Sequence, residues 1–126
     1  MNQSLTIQRM TVRPQFLAAA KGPYLARGAV MVQMLARNDG DPVVHAGFTA
    51  TRKVGGAVVR NRCKRRLREA ARLLLPELGK PGCDYVFVAR GGTATRSWPR
   101  LLDDVKSALI SLAAERAPAK GQDAPI

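Results

Sequence analysis

The sequence predicts an α/β (α+β) fold: a two-layer sandwich of helices on a small mixed β-sheet, ordered α-β-β(-β)-α-β-α, with a basic helix as the crossover. Three observations predict it. Short apolar runs with β-branched members alternate with longer segments whose apolar residues recur at helical spacing. Gly, Pro, Asn and Asp gather between those segments, where turns need them. The chain has 126 residues, 46% of them hydrophobic and 24% charged, which supports one folded core and excludes wholesale disorder.

Residues 1–10, MNQSLTIQRM, carry no clear period and read as a loose N-terminal arm. Over 13–21, RPQFLAAAK places Pro14 in a first helical turn, groups Phe16, Leu17 and Ala20 on one face, and stops at Gly22-Pro23. The continuous apolar run AVMVQMLA over 29–36 is too short for a buried helix and reads as a strand. A second strand begins at Val43 and runs through HAGFTATRK. The turn residues Asn38-Asp39-Gly40-Asp41-Pro42 between the two predict an antiparallel hairpin.

Gly55-Gly56 breaks the pattern, and residues 58–75 read as a helix ended by Pro76. On its wheel Cys63, Leu67, Ala70, Ala71 and Leu74 share one face, while Asn61, Arg62, Arg65, Arg68, Glu69 and Arg72 fill the opposite side. After Lys80-Pro81-Gly82, CDYVFVAR is a β-rich strand followed by a Gly91-Gly92 loop. If it runs parallel to the second strand, the basic helix between them is a βαβ crossover. Ser97 caps a last helix with Pro99 in its first turn and Leu101, Leu102, Val105, Ala108, Leu109 and Leu112 on one face, up to about residue 117. Residues 11–117 are thus one domain, and the small polar tail 118–126 reads as disordered.

The charge is uneven. With 21 Lys+Arg against 9 Asp+Glu the formal charge is +12, and nine of the cations (Arg52, Lys53, Arg60, Arg62, Lys64, Arg65, Arg66, Arg68 and Arg72) fall in one window with Glu69 as its single acid. Such a field attracts a polyanion, and nucleic acid is the commonest soluble one. A membrane surface would call for large apolar side chains among the cations, but none of the six aromatic residues lies in the window. No apolar stretch approaches the roughly 20 residues of a membrane span, and the N-terminus lacks the apolar core of a signal peptide, so a cytoplasmic location is expected. Cys63 and Cys83 have no metal-ligand spacing and suit a reducing compartment.

Catalytic chemistry is hard to assemble from these residues. The single histidine, His45, reads as a structural imidazole on a strand, and Asp103-Asp104 as carboxylates favouring a helix N-terminus. VGGAV lacks the ending of a P-loop and the spacing of a dinucleotide site. No catalytic residue and no metal ligand is assigned. Binding is easier to argue, since arginine makes planar bidentate contacts to phosphate at any physiological pH. In GFTATRK, Gly47, Thr49 and Thr51 alternate with Phe48, Ala50 and Arg52, so one sheet face is bulky and the other small and hydroxylated. The small face, edged by Lys53 and Phe16, suits an extended single strand; the same pattern also fits a first helix that simply covers it as core.

The stretch GFTATRKVGGAVVRNRCKRRLREAAR, residues 47–72, resembles the signature of the bacterial ribonuclease P protein family, an RNR tract on a basic helix after a GxxxSxKxG-like strand. The matching residues are Lys53-Val54-Gly55, Arg60-Asn61-Arg62, Lys64-Arg65 and Arg68-Glu69. The first helix with Phe16 and the DYVFVAR strand are also similar to the family, so the likeness covers about residues 8–115. It implies a ribosomal-protein-S5-like fold with a left-handed βαβ crossover, against the general right-handed rule.

The likeness further implies a subunit of a ribonucleoprotein endonuclease that removes the 5′ leader of precursor tRNA, with the hydrolysis done by the RNA subunit and its Mg²⁺. By that likeness Arg60, Asn61, Arg62, Lys64, Arg65 and Arg68, with Arg72 extending the row, dock on the catalytic RNA. Phe16, Val32, Thr49, Thr51, Lys53, Ala89 and Arg90 line a cleft for the single-stranded leader. The implied partners are the catalytic RNA and the leader, with no membrane and no small-molecule substrate. This sequence departs from the family where aromatic residues are common, offering Ala18, Ala19, Ala20, Val30, Met31 and Val32, and it has Gly56 where asparagine is frequent. The charge alone also permits a general RNA-binding protein of the ribosomal type.

Overall fold

The structure, a computed structural model, describes residues 5–115. Its elements are β1 (Ile7–Arg9), α1 (Arg13–Ala20), β2 (Tyr24–Arg27), β3 (Val30–Ala36), β4 (Val44–Thr49), α2 (Ala57–Leu78), β5 (Cys83–Ala89) and α3 (Trp98–Glu115). The five strands form one mixed sheet in the order β1-β4-β5-β3-β2. β4 pairs in parallel with both β1 and β5, and β3 is antiparallel to β5 and β2. α2 is therefore the crossover between parallel neighbours, as the sequence predicts.

Alternation along the strands separates two faces. Val30, Val32 and Met34 of β3, Val44 and Ala46 of β4, and Cys83, Tyr85, Phe87 and Ala89 of β5 pack against α2 and α3 in the main core. Phe87 stacks on Phe48 at 5.5 Å between ring centroids. Sheet and α2/α3 pair are the two layers of the sandwich. The short α1 lies across the other face over β3 and β5, where Ala19, Met10 and Val86 form a small second core with Phe16, Leu35 and Val88 at its margin.

Several expectations are corrected. The N-terminal arm is not loose throughout: Ile7–Arg9 pairs with Val44–Ala46, and the Met10 N–H donates to the Ala46 carbonyl at 2.8 Å. A three-residue strand is too short to show a period in the sequence. The predicted hairpin between residues 29–36 and the strand from Val43 does not form, because β5 lies between β3 and β4. Turn residues record that the chain reverses, not which strand it then pairs with.

β3 instead makes its hairpin with the preceding β2, through the two-residue turn Gly28–Ala29. Gly28 has φ +50° at the first turn position, where a type II′ turn requires positive φ. α2 does not stop before Pro76 but continues to Leu78. Pro76 sits in the last turn beside the exposed Arg72, where a missing N–H does little damage, and the Gly79 N–H closes the helix on the Leu75 carbonyl at 2.8 Å. The tail 118–126 lies outside the described residues.

His45 is a structural imidazole, as expected. Its Nδ1 lies 2.8 Å from Oδ1 of the buried Asp84, which also accepts a hydrogen bond from Arg37 at 2.6 Å. Arg37 further donates to the Asp41 and Val43 carbonyls, so one guanidinium pins the 37–43 loop to the sheet.

Candidate nucleic-acid interface

The basic helix starts from a strained backbone position. Gly55 has φ +142°, and a Cβ there would lie 2.8 Å from the Cβ of Val59, so both conformation and space demand glycine. Gly56 is different: nothing lies within 4 Å of where its Cβ would be. Its carbonyl accepts the Arg60 N–H at 2.9 Å, which sets the first turn.

α2 buries Cys63, Leu67, Ala70, Ala71 and Leu75, and leaves Asn61, Arg62, Arg65, Arg68 and Arg72 exposed with Arg60 and Lys64 half-buried. The cations of this face differ in how free they are. Asn61, Lys64, Arg65 and Arg68 make no side-chain hydrogen bond among the described residues, though the Arg68 guanidinium lies 5.9 Å from the Phe48 ring centroid. Arg72 is held by Glu69, its Nε donating to Oε1 at 3.1 Å and Nη2 to Oε2. That hydrogen bond holds the Glu69 carboxyl below its ordinary value and lifts Arg72 above its own. Arg62 Nε donates to the Ala94 carbonyl at 2.9 Å. Arg60 Nε is buried and has no hydrogen-bond partner among the described residues.

Arg66, absent from the expected docking set, faces inward. Both terminal nitrogens donate to carbonyls at 2.6 Å, Nη1 to Thr93 and Nη2 to Arg96, and the guanidinium lies 5.7 Å from the Trp98 ring centroid. Burial, with the neighbouring Arg62 charge, draws it below the ordinary arginine value.

The α1 face of the sheet is built around a missing side chain. A Cβ at Gly47 would lie 2.6 Å from Cε1 of Phe16 and 3.0 Å from Sδ of Met10, so glycine creates the seat for the ring. Thr49 follows on the same face, half-buried. Thr51 and Lys53 are exposed beyond it, the Thr51 hydroxyl accepting the Lys53 N–H at 3.3 Å to cap a single 3-10 turn, Arg52–Val54. Arg90 is exposed at the end of β5. Because β4 and β5 are parallel, Thr51, Lys53 and Arg90 share one end of the sheet, and α2 starts from that end.

Two expected cleft residues are elsewhere. Val32 is fully buried and Ala89 nearly so, both on the α2/α3 side of the sheet. A strand's faces alternate, so the α1 side carries Met31 and Gln33 of β3 and Val88 of β5 instead. Gln33 is the one polar residue in AVMVQMLA, and its parity marks the less buried face. Asp103 and Asp104 lie past the first turn of α3, which holds no acidic residue, so they do not serve the helix terminus as expected; the Asp104 carboxylate instead accepts bonds from Arg96 and from the Ala29 N–H. Among the described residues no three His, Cys, Asp or Glu side chains come together to hold a metal ion, and no helix is long and apolar enough to cross a membrane. Cys63 and Cys83 are buried free thiols, pushed up by that burial.

The model of the Ribonuclease P family matches residues 6–113. The chain belongs to the ribonuclease P protein family. The ribonuclease P protein component of Caulobacter vibrioides is 66% identical over 112 residues, spanning 89% of this chain and 75% of that one. The one from Ruegeria pomeroyi is 49% identical over 106 residues, 82% of this chain and 85% of that one. Solved structures of the RNase P proteins of Staphylococcus aureus and Thermotoga maritima share the fold. The first has TM-score 0.69 at 22% identity, covering 83% of this chain and 94% of that one. The second has TM-score 0.69 at 23% identity, covering 82% and 96%. As a ribonuclease P protein component the chain is a tRNA-processing subunit with an RNA partner, which decides against a general ribosomal-type RNA-binding protein. The cationic face of α2 suits such a partner.

Proposed function

We propose that α2 docks this chain on the catalytic RNA of ribonuclease P while the cleft between α1 and the sheet holds the single-stranded 5′ leader of precursor tRNA. The observation that carries this reading is the row Lys64, Arg65 and Arg68, without intramolecular hydrogen bonds among the described residues, on a helix that starts at the end of the sheet bearing Lys53 and Arg90. Cations not engaged within the chain are available to phosphates, and each phosphate neutralised releases counterions. In the cleft, Phe16, Met31 and Val88 offer apolar surface and Thr49 a hydroxyl, which bind bases without demanding a sequence.

The endonucleolytic step is assigned to the RNA partner and its Mg²⁺. The described residues do not fit a Mg²⁺ site of their own, because the face toward RNA is cationic and the buried carboxylates among them are already engaged. Asp84 holds Arg37 and His45, and Asp104 holds Arg96 and the Ala29 N–H. A cytoplasmic location is part of the proposal, and the two buried free thiols suit it.

The test is cleavage of precursor tRNA at low Mg²⁺ by a bacterial ribonuclease P RNA, with and without this protein, together with binding of matched substrates with and without a leader. Rescue of cleavage and tighter binding only when the leader is present is the expected result. Tight RNA binding with no rescue overturns the reading.

A further inference from the structure

One polar network ties α2 to the loop after β5, to α3 and to the β2–β3 turn. Arg66 spans the Thr93 and Arg96 carbonyls with both arms of its fork, and Arg62 adds the Ala94 carbonyl. Thr93 is fully buried; its hydroxyl accepts the Arg90 N–H at 2.8 Å and donates to the Ala29 carbonyl at 2.5 Å. Arg96 donates to Asp104 at 2.9 and 3.2 Å, and Asp104 accepts the Ala29 N–H at 3.0 Å. Gly28 has no side chain where the Asp104 carboxylate lies. Arg90 therefore leaves the sheet from a backbone gripped by Thr93, and Thr93 is gripped in turn by the docking helix.

We infer that Arg66 and Thr93 are positioning residues that couple the two RNA-binding surfaces, setting Arg90 at the cleft in a fixed relation to α2. The inference rests on the function proposed above. A phosphate contact by Arg66 would require breaking two part-buried, charge-assisted bonds to carbonyls, so its part in RNA binding runs through the loop. Lysine cannot replace it, because a single ammonium does not present the planar fork that bridges two carbonyls.

The test uses the holoenzyme reconstituted with a bacterial ribonuclease P RNA, and reads two quantities. One is the gain in affinity that a 5′ leader confers on precursor tRNA; the other is the salt dependence of the protein's association with the RNA. Arg66→Lys and Thr93→Val should each reduce the leader gain about tenfold, as for one charge-assisted hydrogen bond lost at Arg90. Arg66→Gln should leave the salt slope of docking unchanged, and Thr93→Ser, which keeps the hydroxyl, should retain the leader gain. A full leader gain in folded Arg66→Lys or Thr93→Val overturns the inference. So does a slope lower by about one unit in Arg66→Gln, which would make Arg66 a phosphate contact. If Arg66→Lys fails to fold, the Thr93→Val and Thr93→Ser pair decides. Absence of any leader gain with the unaltered chain is distinct from these results, and overturns the proposed function and this coupling together.

Discussion

The ring of Phe16 occupies the place a side chain would take at Gly47, with Cε1 2.6 Å from where a Cβ would stand. α1, which lies over β3 and β5, thereby reaches β4 through a ring seated where an atom is absent. Gly47→Ala should push the ring aside and cost about 1–3 kcal/mol, the usual penalty of overpacking. Denaturant unfolding reads the loss, and precursor tRNA binding should weaken with it. Unchanged stability would mean that Phe16 moves freely on its seat.

Arg65 and Arg72 are both exposed on α2, yet among the described residues only Arg72 of the two has a carboxylate partner. Arg65→Ala or Arg68→Ala should therefore lower the salt slope of association with the catalytic RNA by about one unit per lost phosphate contact. Arg72→Ala should lower it less, since Glu69 already neutralises that guanidinium. Equal slopes in all three variants and in the unaltered chain would count against docking through this face.

Much of the fold was legible because its larger elements have strong patterns. The crossover α2 announced itself through one apolar and one cationic face, and β5 through its β-branched and aromatic run. The strand order was not legible, since alternation along β3 and β4 shows which face is buried but nothing local says that β5 separates them. Of the residues the family likeness names for the leader, Phe16 and Thr49 share the α1 side of the sheet, whereas Val32 and Ala89, one step out of parity with them, lie in the α2/α3 core. On the helical wheel Arg66 falls at the border of the apolar face, about 100° from Arg65, but nothing in the sequence says that the 90–97 loop packs there and offers it carbonyls. Thr93 gave no signal at all, because a hydroxyl bridging two backbone groups depends on a turn built from three separate segments.

Tyr85 makes the folded state less stable at alkaline pH. Burial, opposed by the hydrogen bond its hydroxyl accepts from the Lys80 N–H, pushes its pKa from 10 up to about 12. Above pH 10 the unfolded chain loses this proton while the folded chain keeps it, so stability falls as pH rises from 10 to about 12 and the term then levels off. The full span is worth about 2–3 kcal/mol. Tyr85→Phe should unfold with a shallower alkaline dependence over that window, having lost about 1 kcal/mol at neutral pH with the hydrogen bond. Identical alkaline profiles would show that the phenol titrates normally.

Met31 and Val32 are adjacent in β3 and point to opposite faces, which makes them a direct test of where the leader lies. Val32 is fully buried against α2 and α3, so Val32→Ala should cost about 1–3 kcal/mol through lost packing and leave the ratio of precursor to mature tRNA affinity unchanged. Met31 is half-buried on the α1 side, where truncation removes apolar surface without opening the main core. Met31→Ala should therefore lower that ratio with little effect on unfolding. The reverse outcome, a leader defect in Val32→Ala alone at unchanged stability, would place the leader on the other side of the sheet. That would require α2 and α3 to part from it, since their side chains fill that face.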